Sequence, residues 1–154
     1  MDLETLFSIS NLVIMPFWFL MIALPFWSWT QRIMQTYWPI VLPSLFYVYF
    51  LLFGGGVGSA EGMAELMNPS AEGIAFLLGN PAGAATGWAH FLAFDLFVGR
   101  WVYLEARQSG TPWWVSSPIV FFCLMLGPVG FLLWFIVRMF RPVPEVAQIH
   151  SKPA

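Results

Sequence analysis

The run Gly87-Trp88-Ala89-His90-Phe91-Leu92-Ala93-Phe94-Asp95-Leu96-Phe97-Val98-Gly99-Arg100-Trp101 places a histidine, a carboxylate and a guanidinium among aromatic and aliphatic neighbours. Imidazole and carboxylate are the groups best suited to pass protons near neutral pH, and a guanidinium can steady a developing oxyanion. The surrounding residues read as a membrane-spanning helix. There an ionised side chain costs about 2.5–3.5 kcal/mol on insertion scales and faces protein partners or water by default. At 100° per residue, His90 and Asp95 lie about 140° apart around the helix, as do Asp95 and Arg100. At most two adjacent members of the trio can therefore share a cavity without help from another helix.

Each residue also has a structural alternative. Asp95 is either a carboxylic acid hydrogen-bonded to Ser, Asn or Tyr on a neighbouring helix, or a proton donor or acceptor in a dry site. His90 is a packed core histidine, an acid/base group, or an axial ligand to a tetrapyrrole magnesium or iron; no second histidine stands at a ligand spacing, and His150 belongs to a polar tail. Arg100 either snorkels toward the interface or contacts a carboxylate or carbonyl from another helix. Asn11, beside Ser8 and Ser10, calls for a hydrogen-bond partner across a helix interface, with His90 and Asp95 as candidates. Trp88, Phe91, Phe94 and Trp101 serve as helix packing or as the lining of a substrate groove.

The elements that position these residues follow from composition. Of 154 residues, 59% are hydrophobic and 9% charged, against roughly 25% charged in soluble domains, so lipid is the expected solvent. The net charge of −2 and the scattered Lys and Arg exclude a phosphate-neutralising stripe, and with it nucleic acid. Lone Cys123 in an apolar run reads as a buried, inert thiol. With Asp2 and Glu4 at the start and no basic n-region, neither a secretory signal nor a transit peptide is expected.

Spanning takes about 20 apolar residues, and four segments qualify: 7–27, 38–56, 82–103 and 115–140. The predicted fold is an all-α integral membrane protein of four transmembrane helices, one domain over 1–141, with a polar tail at 142–154. Pro16, Pro43 and Pro128 predict kinks, the last strengthened by Gly127 and Gly130. The segment 57–81 reads as one long acidic, glycine-rich loop carrying Glu61, Glu65 and Glu72, whose Ile74–Leu78 stretch lies on the interface or re-enters the bundle. Ser28–Tyr37 reads as a short polar turn, and Glu105 and Arg107 as solvated rim groups. Four spans put both termini and the long loop on one side, and the Lys/Arg count barely separates the two sides. Gly54-Gly55-Gly56-Val57-Gly58 lacks the Lys and strand context of a phosphate loop, and no paired-Cys zinc pattern or nucleophile elbow is present.

The Gly87–Trp101 signature, with Asn11 in the first apolar run, the glycine-rich segment, and Gly127-Pro128 with Gly130 in the last, resembles the abscisic-acid-deficient-four-like family. The resemblance covers about Leu6 to Arg141. It implies a small integral protein of a photosynthetic membrane, linked in plants to making neoxanthin from violaxanthin. The absent transit peptide adds an expected setting in the thylakoid or plasma membrane of a cyanobacterium. The implied chemistry is a redox-neutral isomerisation of a xanthophyll epoxide that needs an acid and a base but no cofactor. Asp95 and His90 are the candidate pair, Arg100 the oxyanion partner, and Asn11, Trp88, Phe91, Phe94 and Trp101 the substrate-binding residues. Alternatives are a non-catalytic subunit that binds carotenoid or chlorophyll in a photosynthetic complex or homo-oligomer, and a small proton-linked transporter using Asp95.

Overall fold

The computed structural model describes residues 2–141; the predicted tail at 142–154 lies outside them. Eight helices form among these residues: α1 (Leu3–Ala23), α2 (Ser28–Gln35), α3 (Trp38–Phe53), α4 (Ala60–Met67), α5 (Ala71–Leu78), α6 (Pro81–Gln108), α7 (Trp113–Met125) and α8 (Gly127–Phe140).

Helix boundaries follow local chemistry. Asp2, Ser59, Ser70 and Asn80 each accept a backbone N–H from three residues on, opening α1, α4, α5 and α6. Leu24, before Pro25, leaves helical geometry and ends α1. Thr36 closes α2 by returning its hydroxyl to the Ile33 carbonyl. Pro81 at the first turn of α6 loses no helical hydrogen bond there.

At 28 residues α6 is the axis of the bundle, about 42 Å long. Helix α1 runs parallel to it, with Phe7 beside Trp88 and the Trp18 ring against Gly99. Helix α3 runs antiparallel, since Tyr37 meets Arg100, Tyr47 meets His90, and Gly56 packs on the Gly83 backbone. The main core lies between α1, α6, α7 and α8, around Trp18, Met21, Leu96, Tyr103, Cys123 and Trp134. Tyr103 donates its buried hydroxyl to the Pro25 carbonyl, which fixes the turn after α1.

Segment 115–140, expected as one kinked span, is instead a helical hairpin. Helix α7 descends antiparallel to α6, bringing Cys123 to Gly99 and the hairpin tip to Asp95. Helix α8 returns parallel to α6, with Phe131 stacked on Trp101 at 5.6 Å and Arg138 paired to Glu105 at 3.3 Å. The physical cause is the Leu126-Gly127-Pro128 junction. Leu126 leaves helical geometry, Pro128 has no N–H to continue α7, and Gly130 lets the returning backbone touch that of Cys123. Each arm, 13 or 14 residues, is only about 20 Å long. The two termini of the described chain consequently lie at opposite ends of the bundle, not the same end.

Two further expectations change. Segment 57–81 is not a loop but carries α4 and α5, and α5 packs on α6 through buried Leu77. The polar turn after α1 is the amphipathic helix α2, bent 50° from α3. Among the described residues α1 alone is long and apolar enough to cross a membrane, with 22% of that window buried; the bent pair α2–α3 would make a second. Helix α6 has the length, but Gly, His and Asp dilute its apolarity.

Candidate functional site

Midway along α6, Asp95 faces the tip of the α7–α8 hairpin. Its carboxylate lies so close to Gly127 that no Cβ would fit there. Gly127, at the turn, admits the carboxylate, and Gly130 admits the Cys123 backbone.

Beside this contact is a cavity of about 490 Å³. Trp88, His90, Phe91, Phe94, Asp95 and Val98 from α6 form one wall, and Leu124–Pro128 with Phe131 form the other. Asp95 is half-buried and His90 exposed. Neither has a hydrogen-bond partner among the described residues, so Asp95 is not tied to a Ser, Asn or Tyr of a neighbouring helix. The His90 ring stacks on Phe94 at 4.6 Å, with the Tyr47 edge 5.5 Å away. Imidazole and carboxylate thus share one apolar chamber although they lie on different sides of the helix, because the chamber wraps the outer face between them.

Arg100 is not part of it. Its guanidinium lies over the Tyr37 ring at 5.6 Å, toward α3, and its shielded Nε has no partner. Trp101 also leaves the chamber, packed between Phe131 and Arg138. Asn11 makes its cross-helix bond to neither His90 nor Asp95; its Oδ1 accepts from Trp88 Nε1 at 2.8 Å, while its amide donates to the Phe7 carbonyl. Phe91 and Phe94 line the cavity, 55% and 59% exposed.

The residues missed from sequence are those of the hairpin tip, Leu124 to Pro128. The Gly-Pro-Val-Gly signal marks a break there, but not that the chain reverses. Glu105, expected as a solvated rim group, is 14% exposed and accepts from Trp134 Nε1 at 2.9 Å while pairing with Arg138. No group of three or more His, Cys, Asp or Glu side chains converges among the described residues.

A profile described as ABA DEFICIENT 4-like matches residues 5–134, which takes in most of α1, the α6 signature, α7 and the first half of α8. The chain belongs to the ABA DEFICIENT 4-like family. It is 27% identical over 137 residues to the protein named ABA DEFICIENT 4, chloroplastic, of Arabidopsis thaliana. That match covers 88% of this chain and 61% of the relative, so the chain spans less than two thirds of the relative's length. No solved structure matches the chain. His90, Asp95 and Gly127 fall within the span of the family match.

Proposed function

We propose that this ABA DEFICIENT 4-like protein is an integral membrane protein that handles carotenoids, receiving an oxygenated ring end-group in the chamber between α6 and the hairpin. The observation that carries this reading is an imidazole and a carboxylate, both without hydrogen-bond partners among the described residues, lining one apolar chamber. Groups so placed can serve a ligand without first giving up a protein contact. The family adds the link to neoxanthin synthesis that the resemblance implies.

The reaction that fits is isomerisation of a xanthophyll epoxide. One C–O bond of the epoxide breaks as its oxygen takes a proton from one member of the pair. The other member removes a proton from the adjacent polyene carbon, leaving a hydroxyl and an allene. The formula is unchanged, and one proton passed from the new acid to the new base across the chamber restores the pair. Either assignment of His90 and Asp95 satisfies this balance. Phe91 and Phe94 would hold the end-group's apolar faces, and Arg100, on the far side of α6, takes no part.

The outer surface supports embedding. Leu12, Phe19, Leu52, Phe53, Leu132 and Ile136 are exposed large apolar side chains on α1, α3 and α8, the kind of surface that suits lipid. In this reading α1, the α2–α3 pair and α6 cross the membrane, and the hairpin enters halfway. Non-helical backbone at membrane depth is tolerated where protein buries it or it lines a cavity, as the Leu126 junction does. The membrane is a photosynthetic one, with lipid as solvent and a larger pigment complex or a second copy as candidate partners.

The test is co-expression in a violaxanthin-accumulating bacterium followed by pigment analysis. Wild type should yield an isomer of the supplied epoxide, and Asp95→Asn and His90→Ala should lower its yield about 100-fold. Unchanged pigment with folded wild-type protein would overturn the isomerase. Unmodified carotenoid or chlorophyll co-purifying with it would instead support a pigment-binding subunit.

The hairpin supports a second reading. A half-membrane hairpin that ends on an acidic side chain resembles the broken helices at transporter ion sites. Proton flux in proteoliposomes that disappears in Asp95→Asn, without pigment conversion, would favour proton-linked transport.

A further inference from the structure

Arg100 is turned away from the Asp95 chamber, and no side chain of the bundle neutralises it. Its guanidinium lies over the Tyr37 ring and its shielded Nε donates to nothing. The only ion pair among the described residues joins Arg138 to Glu105. Next to Arg100, between α3 and α6, is a groove of about 310 Å³ lined by Ile40, Ser44, Ala93, Phe94 and Phe97. Ala93, Phe97 and Arg100 follow one another at four- and three-residue spacing and so share one face of α6. On the facing wall Tyr37 stands a single turn before Ile40, whose amide donates to the Tyr37 carbonyl. The Arg100–Tyr37 contact therefore stands one turn beyond the groove on both walls. Ser44 donates its hydroxyl to the Ile40 carbonyl, which leaves the groove walls without a free donor and suited to hydrocarbon.

Depth points the same way. From Pro81 to Arg100 helix α6 rises about 28 Å, close to the hydrocarbon thickness of a bilayer, about 30 Å. With the start of α6 at one boundary, Arg100 reaches the other. Exposed aromatic side chains cluster at that end: Trp29, Tyr37, Trp38, Trp113 and Trp114, the residue types that mark a headgroup boundary.

We propose that Arg100 and the groove beside it bind an acidic phospholipid, with the phosphate on the guanidinium and the first part of one acyl chain between α3 and α6. This rests on the embedded reading of the bundle and not on the chemistry of the Asp95 chamber. A guanidinium presents paired donors that match a phosphate, and the groove continues from it toward the membrane interior, as an acyl chain does from its headgroup. The neighbouring charges select an acidic lipid over a zwitterionic one. Arg32, Arg107 and Arg138 lie at the same end, and Glu105 is already paired, so a choline group would meet like charge.

The test is native mass spectrometry of purified full-length protein in detergent with equal amounts of phosphatidylglycerol and phosphatidylcholine. Wild type should retain phosphatidylglycerol about tenfold better, the scale of one hydrogen bond to a charged group. Arg100→Gln should lower that retention about tenfold, and Arg100→Lys, which keeps the charge, should lower it less. Arg32→Gln, an exposed cation outside the groove, should change it less than threefold. Ser44→Phe fills the groove and should lower retention of both lipids. Equal losses in Arg100→Gln and Arg32→Gln would overturn the site in favour of general surface charge. Unchanged retention in Ser44→Phe would overturn the groove as the seat of the acyl chain. A dimer that Arg100→Gln dissociates, with no lipid preference, would overturn the proposal in favour of a carboxylate from a second copy. If wild type retains neither lipid, the proposal falls together with the embedded reading. Pigment conversion does not bear on any of these outcomes, since Arg100 takes no part in it.

Discussion

Asp95 and Gly127 depend on each other at the scale of single residues. The carboxylate occupies the space a Cβ would need, so Gly127→Ala must move the carboxylate, which is the more mobile partner. The expected outcome is an isomer yield reduced at least tenfold with a melting temperature within a few degrees of wild type, read in the co-expression assay and by thermal unfolding in detergent. Asp2 offers a separate test outside the helical core. Hydrogen bonding from Thr5, by its side chain and then by its amide, holds the Asp2 carboxyl below the ordinary value of 3.8. A carboxyl lowered in the folded state stabilises the first turn of α1 above that ordinary value, and the contribution fades as pH falls through the lower folded value. Protection of the Thr5 amide should therefore drop below about pH 3.8 in wild type, and be low at every pH in Asp2→Ala.

Helices α7 and α8 stay folded back because each arm is anchored to α6 at a different point. Gly130 rests on the Cys123 backbone near the tip, and Glu105 bridges Trp134 and Arg138 near the base. Trp134 is fully buried, so removing its acceptor leaves an indole N–H with no partner. Glu105→Ala should destabilise by about 1–3 kcal/mol, while Glu105→Gln keeps an acceptor for the indole and should cost less than half of that. Equal losses in the two variants would assign the effect to the Arg138 ion pair instead. Short arms also explain why the hairpin is hard to read from sequence. A continuous apolar segment with Gly and Pro at its centre has the same composition whether it bends or reverses, and the reversed arrangement is the one in which Glu105 on α6 meets Trp134 and Arg138.

At the scale of the whole molecule, the reversal redistributes charge. Arg32, Arg107, Arg138 and Arg141 all lie at the end of the bundle where α6 finishes, with Arg100 in the same half. Asp2, Glu4, Glu61, Glu65 and Glu72 lie at the other, where the described residues carry no Lys or Arg. A four-span reading leaves the two sides nearly balanced; the folded-back α7–α8 hairpin puts every described cation in one half of the bundle. Positive charge is retained on the cytoplasmic side, so that end should face the cytoplasm and the α4–α5 end the opposite side. Single cysteines placed in a Cys123→Ser background at Gln108 and at Met67 test this with a membrane-impermeant thiol reagent on intact cells. Met67→Cys should label and Gln108→Cys should not; the reverse pattern would refute the orientation.

The sequence by itself determined an all-helical, strongly apolar chain, the family, and the segment holding His90 and Asp95, because composition, helical period and a rare polar trio are local properties. It also determined that three polar groups spaced five apart cannot share one face of α6. Only the tertiary structure decided which two meet, that Asn11 serves Trp88, and that Arg100 turns away to Tyr37. It alone decided that the last apolar segment reverses at Gly127. Those outcomes depend on contacts between residues far apart in the chain, where a missing Cβ or a carboxylate on α6 selects one of several arrangements that the local pattern allows equally.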